Sequence, residues 1–198
     1  MRRSALWLSL LGLFGCSQSV MDYQAMEPKL NLPEFFQGSS QAFGVMHDWK
    51  GQQSLRFTAE LCGQWRGLEG DLYEIFTFSD GRIDKRHWRL AQNAAGEVQG
   101  TAEDVVGNAT GQLAGNTLYW QYVLRIPQQQ DYIDVTVKDW LYLVAPDQLI
   151  NRSTLHKFGF TVGELTLAIT RVDVNADCTA FIERYESTER TIPLVSGK

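Results

Sequence analysis

Several ionisable side chains occupy positions that the surrounding sequence otherwise fills with apolar residues. Asp139, for example, interrupts the apolar row that alternates through residues 133–143. Burying a charge costs several kcal/mol unless an opposite charge or hydrogen bonds compensate for the lost water. The residues that share this property are Glu74, Arg86, Asp104, Asp139 and, between Val45 and Trp49, His47. We therefore expect the carboxylates and Arg86 to form one internal network or to line a polar cavity.

Such a network is open to three interpretations. It could be a salt-bridge cluster that fixes strand register, a ligand-recognition cluster, or a catalytic acid/base pair. We favour the first for the cluster itself. The inward row that contains Asp104 also contains the small residues Gly100 and Ala102, which favours an unfilled cavity. The same space could instead accommodate the indole of Trp88 or Trp120. The candidate ligand-binding residues are Arg86, Asp104 and Asp139 as polar contacts and Trp88, Trp120 and Trp140 as walls or rim.

Strands must position these side chains, because apolar and polar residues alternate with a period of two along most of the chain. The clearest runs are 55–65, 117–126 and 133–143, whereas glycines at 107, 111 and 115 suggest bends. About nine short strands at roughly ten-residue spacing predict an all-β fold. We favour a single antiparallel, lipocalin-like up-and-down β-barrel, because consecutive hairpins suit a meander. A β-sandwich is the alternative, but its Greek-key crossovers need longer connections.

We divide the chain into four segments. Residues 1–15 are a predicted lipoprotein signal peptide, with a positive start and a short apolar run before Cys16. Residues 16–41 are a lipidated N-terminus and tether, in which Phe35-Phe36 is expected to close one end of the core. Residues 42–172 form the barrel, and residues 173–198 form a polar C-terminal tail to which we assign no structure.

Cys16 is the predicted lipidation site, so acyl chains such as palmitate would anchor the protein to a membrane. Ser17 follows where an Asp would indicate inner-membrane retention. The expected location is therefore the outer membrane of a Gram-negative cell, facing the periplasm. Phe14 is bulkier than the residue usual at its position, and an ordinary secretory peptide with an incidental cysteine is the alternative.

The remaining cysteines and the charge balance bear on cofactors and partners. Cys62 and Cys178 would lie in an oxidising compartment, where they could form a disulfide, but sequence alone does not bring them together. A net charge of −5 argues against nucleic acid. The three histidines have no zinc-site spacing, and no catalytic motif is present, so we expect no metal and no cofactor and leave enzymatic activity open.

Several motifs together resemble a family of uncharacterised bacterial lipoproteins, a domain of unknown function. They are Phe-Phe-x-Gly at 35–38, Phe-x-Phe-Ser-Asp-Gly at 76–81, Arg-His-Trp-Arg-Leu at 86–90, the Gly-rich run 100–111, Lys-Asp-Trp-Leu-Tyr-Leu at 138–143 and the run 151–159. The resemblance extends over about residues 23–171. It implies one exported domain and carries no activity.

Together these features lead us to expect an envelope lipoprotein that binds a small apolar or amphipathic ligand in a β-barrel. One alternative is a structural or assembly partner in the outer membrane, and another is an enzyme that acts on envelope lipids. No particular protein partner is indicated.

Overall fold

Ten antiparallel strands close into one barrel in a computed structural model that describes residues 18–128 and 131–191. Each strand pairs with its neighbours in the chain, and β1 pairs with β10, so no sheet edge is left open. The strands are β1 (Gly38–Asp48), β2 (Gln53–Arg66), β3 (Glu69–Phe78), β4 (Ile83–Gln92), β5 (Glu97–Thr101), β6 (Ala109–Ala114), β7 (Thr117–Gln128), β8 (Asp131–Ala145), β9 (Gln148–Lys157) and β10 (Phe160–Asp173).

This architecture confirms the prediction of an all-β, antiparallel, up-and-down barrel and sets aside the sandwich. The strand number is ten rather than about nine, because Ala109–Ala114 forms a short strand in the segment whose glycines suggested bends. The strands also begin earlier than expected, since β1 starts at Gly38.

Side chains alternate between the core and the outer surface as the period-two pattern requires. In β1, however, the small residues Ala42 and Gly44 point inward, and Phe43 is exposed. The expectation that His47 shares an apolar row with Val45 and Trp49 was therefore wrong, because His47 lies on the same side of β1 as the exposed Phe43. The reason is the ring of Phe57 on β2, which occupies the space that a side chain at Gly44 would need.

One end of the barrel, which we call the plugged end, is closed by helix α1 (Leu32–Phe36). Asn31 caps this helix through its side-chain oxygen, which accepts from the backbone N–H of Glu34 at 3.2 Å. Leu32, Phe35 and Phe36 are buried in the core. A 3-10 helix (Val20–Tyr23) precedes α1 and contacts the outside of β6 and β7.

The opposite end, which we call the free end, carries the turns β1–β2, β3–β4, β7–β8 and β9–β10 and the β5–β6 connection. None of the helices in the described ranges lies across it. Apolar side chains that line this end, including Met46, Phe78, Ile126 and Ile133, are only partly buried. No described helix is long and apolar enough to span a membrane.

The C-terminal segment contains a helix that the sequence did not lead us to predict. Helix α2 (Thr179–Ser187) packs Tyr185 against Tyr73 and His87 on the outer wall, with ring centroids 5.2 and 6.5 Å away. A disulfide joins Cys178 at its start to Cys62 on β2, and both cysteines are buried. The predicted signal peptide and Cys16 lie outside the described residues.

Candidate functional site

The barrel interior contains a bidentate ion pair between Arg86 and Asp104. Arg86 points inward from β4, and its Nε donates to both oxygens of Asp104 at 3.0 Å while its Nη2 donates to Oδ2 at 2.8 Å. Backbone hydrogen bonds hold the segment that carries Asp104 to β7, including one from Arg125 N–H to the Asp104 carbonyl at 2.8 Å. Burial opposes the charge of Arg86, but Asp104, Tyr122 and Glu74 outweigh burial and raise its pKa. The guanidinium therefore stays charged and committed to Asp104.

Glu74 lies directly opposite Arg86 in the β3–β4 ladder and also faces the interior. Burial raises the pKa of Glu74 to about 7, against the opposing effect of Arg86. Asp104 and Asp139 raise this pKa further, because a second negative charge nearby disfavours ionisation. Near neutral pH this carboxyl is therefore divided between its neutral and charged forms.

Asp139 on β8 faces Ser153 on β9 across the ladder. Burial raises the pKa of Asp139 to about 6, although Ser153, Arg86, Tyr122 and Asn151 oppose the shift. Its residue is 8% exposed, and although Ser153, Tyr122 and Asn151 lie near enough to lower its pKa, none of the described residues makes a hydrogen bond of normal geometry to Oδ1. Asn151, at 4% exposure, accepts from Ser153 Oγ at 2.8 Å, but its Nδ2 likewise lacks a partner there.

Aromatic rings form the wall beside these polar groups. Trp88 makes edge-to-face contacts with Trp120 and Tyr122, with ring centroids 5.7 and 5.3 Å apart. A Cβ added at Gly100 would come within 3.1 Å of the Trp120 ring, and one at Gly111 within 2.7 Å. The small inward row thus accommodates the indole of Trp120, which is the alternative that the sequence left open.

The space between these groups is a cavity of about 140 Å³ in the barrel interior. Its polar lining consists of Glu74, Arg86, Tyr122, Asp139, Asn151 and Ser153. Typical ligand pockets measure about 300–1,000 Å³, and a cavity of about 150 Å³ holds a benzene ring. The cavity therefore has room for a small molecule, or for one end of a larger molecule that enters from the free end.

A larger concavity of about 410 Å³ lies at the outside of β2–β5, where Arg66, Arg89 and Asn108 are among its lining residues. Most of its lining is polar and exposed, and none of the unpartnered buried polar atoms belongs to it. By volume alone, this outer groove would be the stronger candidate for a ligand-binding site. We select the interior cavity, because a buried polar group without a partner implies a missing ligand or water far more strongly than surface shape does.

Five of the six candidate ligand-binding residues lie in the barrel interior: Arg86, Trp88, Asp104, Trp120 and Asp139. Trp140 does not. It follows the inward Asp139 and therefore points to the outer wall, where its ring lies 4.7 Å from Tyr119 and 6.2 Å from Tyr23. The assignment of Trp140 to the cavity was thus wrong by one position.

The sequence reasoning missed Tyr122, Asn151 and Ser153. Asn151 and Ser153 alternate with Leu149 and Leu155 in β9, and this pattern would have placed them inside. Within the described part of the chain, no group of three or more His, Cys, Asp or Glu residues is arranged to hold a metal ion.

Comparison with solved structures places the fold among small β-barrels. An S-type phycobiliprotein lyase, CPES from Guillardia theta, superposes with a TM-score of 0.53 at 9% identity, covering 73% of this chain and 94% of that one. The barrel EF1p2_mFAP2b bound to DFHBI gives a TM-score of 0.40 at 15% identity, with coverages of 77% and 99%. The first likeness concerns the fold alone, and the second is too weak to support an argument.

No curated protein matches the chain in the sequence comparison. A family model does match, over residues 10–171, which is most of the chain and includes strands β1 to β9 and all but the last two residues of β10. The chain therefore belongs to the family described as "Protein of unknown function (DUF3833)".

Proposed function

We propose that this protein is an envelope lipoprotein whose barrel binds a small amphipathic molecule. The apolar part of the ligand packs against Trp88 and Trp120, and its polar group lies between Asp139 and Asn151. The observation that carries the proposal is the pair of buried atoms without partners among the described residues, Asp139 Oδ1 and Asn151 Nδ2, beside the interior cavity.

An unpartnered buried polar atom costs about 1–3 kcal/mol, so two such atoms in one cavity are a considerable cost to the fold. Asp139 Oδ1 can only accept when the carboxyl is ionised, and Asn151 Nδ2 can only donate. A ligand hydroxyl satisfies both atoms, because it donates one hydrogen bond and accepts another. An alcohol or phenol is therefore the chemistry that fits best.

The charge of the interior favours a neutral polar group over an anion. Among the described residues, Arg86 is the one cation that lines the cavity, and Asp104 neutralises its charge by accepting from Nε and Nη2. Glu74 and Asp139 add two carboxyls whose raised pKa values keep them partly protonated near neutral pH. A fatty-acid carboxylate would meet like charges there without a free cation, whereas a neutral hydroxyl would not.

Two observations support an envelope location. The first is the charged start, the apolar run and Cys16, which have the order of a lipoprotein signal. The second is the disulfide between Cys62 and Cys178, because such bonds persist in oxidising compartments such as the periplasm.

Native mass spectrometry of protein gently extracted from membranes tests the ligand. We expect wild type to carry a small non-protein mass and Asn151→Leu, which fills the site with an apolar group, to lose it. Trp140→Phe is the matched control, since its side chain lies on the outer wall, and it should keep the bound mass. Wild type without any bound small molecule, or equal retention in Asn151→Leu, would contradict the proposal.

Lipidation is tested separately, by growing producing cells with labelled palmitate. Label should appear on wild type, disappear in Cys16→Ser and remain in Cys62→Ser. A labelled band that survives Cys16→Ser, or an unlabelled wild type cleaved elsewhere, would show that the chain is not acylated at Cys16.

A further inference from the structure

Four large aromatic side chains project from the free end of the barrel. Trp49 is 71% exposed, Tyr132 62%, Phe158 87% and Phe160 76%, and we call these four residues the aromatic rim. They belong to the β1–β2, β7–β8 and β9–β10 hairpins, which are neighbours around the barrel because β10 pairs with β1 and β9 pairs with β8. The rim is thus one continuous arc.

The backbone at Phe158 shows that its exposure is not incidental. Phe158 and Gly159 form the two-residue β9–β10 turn with φ of 51° and 83°. Positive φ at both central positions favours Asn-Gly, and a bulky residue there costs about 1–3 kcal/mol. Within the described ranges, Phe158 is the one non-glycine residue with positive φ. The fold therefore accepts strain to hold an aromatic ring in solvent.

Cationic side chains accompany the rim. Lys50 Nζ lies 5.0 Å from the Trp49 ring centroid, Lys157 Nζ lies 4.8 Å from that of Phe158, and Arg125 lies 5.8 Å from that of Tyr132. Aromatic rings flanked by cations are typical of surfaces at the lipid–water boundary, where rings enter the headgroup region and cations reach phosphates.

The acidic residues near the rim are engaged within the protein. Asp48 Oδ1 accepts from the backbone N–H groups of Lys50 and Gln52 at 2.9 Å. Asp134 accepts from Arg125 Nε and its carbonyl accepts from Lys157 Nζ, both at 2.8 Å, while Asp131 Oδ1 accepts from the backbone N–H of Tyr132 at 2.8 Å. The rim therefore presents exposed aromatic area flanked by charges of both signs.

The rest of the surface offers a contrast. At the plugged end the exposed large residues in the turns, Leu68 and Val144, are single aliphatic side chains. On the barrel wall Phe43, at 55% exposure, stands alone on β1. Scattered apolar residues of this kind are normal, whereas an arc of four aromatics on adjacent hairpin tips is not.

We propose that the aromatic rim is a membrane-docking surface that inserts into the headgroup region of a lipid bilayer. It does not depend on the interior ligand site.

Vesicle sedimentation tests the proposal with residues 18–198, which keep every element of the described fold but lack Cys16. Vesicles contain phosphatidylethanolamine with phosphatidylglycerol, and a second set contains phosphatidylcholine alone. We expect wild type to sediment with both sets, because the aromatic rings can enter the headgroup region of either. Trp49→Ser and Phe158→Asn should each weaken partitioning by about tenfold, the effect of removing one aromatic ring from an apolar phase.

Phe43→Ser is the matched control, because it removes an exposed ring from the wall rather than from the rim and should leave partitioning unchanged. Circular dichroism and thermal unfolding confirm that each variant keeps the fold. Failure of wild type to sediment, or an equal loss in Phe43→Ser, would overturn the proposal. So would a rim-dependent dimer in solution that does not bind vesicles, since the rim would then be an interface between two copies of the chain.

Discussion

The two ends of the barrel use aromatic side chains in opposite ways. At the plugged end Phe35 and Phe36 belong to a capped helix and are buried in the core. At the free end Phe158 lies in a tight turn and Phe160 directly after it, both are largely exposed, and the backbone at Phe158 is strained. The rings at the plugged end stabilise the fold because they are removed from water. The rings at the free end bury little surface, and the one at Phe158 is held by a strained backbone.

The barrel interior, like the free end, contains features that reduce the stability of the fold. Asp139 and Asn151 keep polar atoms buried without partners in the described ranges, and burial disfavours the charged forms of Glu74 and Asp139. Features that reduce stability persist where they serve another purpose. The comparison therefore separates the molecule into a stabilising end and two regions, the cavity and the rim, that we connect with binding.

The largest expected effect is at the plugged end. Phe36→Ala should lower the free energy of unfolding by about 3–5 kcal/mol, since it leaves a cavity where a buried ring stood. Urea denaturation measures this loss. Phe160→Ala, which removes an exposed ring at the other end, should change the value by less than about 0.5 kcal/mol. Similar losses in the two variants would remove the distinction between the ends.

Much of the fold could be predicted from the sequence, because period-two alternation is a local signal. The runs that contain Leu61, Trp120 and Val137 predict half-buried strands, and short turns between them predict an antiparallel barrel. The same alternation placed Arg86, Asp104 and Asp139 inside. Their direct partners could not be read from it, because pairing of Arg86 with Asp104 depends on how a loop folds back against β7.

The errors have a physical cause as well. Trp140 and His47 were each placed on the wrong face, since a shift of one residue reverses the side-chain direction of a strand. In β1 the outcome depends on Phe57 from the next strand filling the space at Gly44, which no local pattern reveals. Helix α2 was missed because its burial involves Tyr185 and a disulfide across 116 residues, not a strong periodic pattern of its own.

The cavity should produce a smaller effect with a characteristic pH dependence. The pKa of Asp139 is raised from the usual value of 3.8 to about 6, so its carboxyl ionises in the unfolded chain before it ionises in the fold. Stability should therefore fall as pH rises from about 4 to about 6, and the full loss should persist above that range. Asp139→Asn removes this penalty and should be more stable than wild type by about 1–3 kcal/mol at about pH 8.

Denaturant titrations at about pH 4 and about pH 8 measure this difference, which should be small at the lower pH. Asp134→Asn is the control, because Arg125 lowers the pKa of this exposed carboxyl and its effect on stability has the opposite sign. If Asp139→Asn is less stable than wild type at about pH 8, then Asp139 is held in the fold as a paired anion. The cavity would in that case belong to the stabilising part of the molecule.

The smallest expected effect returns to the free end. Phe158→Asn places the residue preferred at positive φ before Gly159, and we expect it to raise the free energy of unfolding by about 0.5–1 kcal/mol. Thermal unfolding at several denaturant concentrations resolves a change of this size, and Phe160→Asn, in extended backbone at the start of β10, should give no such gain. If Phe158→Asn destabilises the protein, the ring supports the turn through contacts such as that with Lys157. If it stabilises the fold while weakening vesicle binding, the aromatic ring is retained at the expense of stability, as the contrast between the two ends requires.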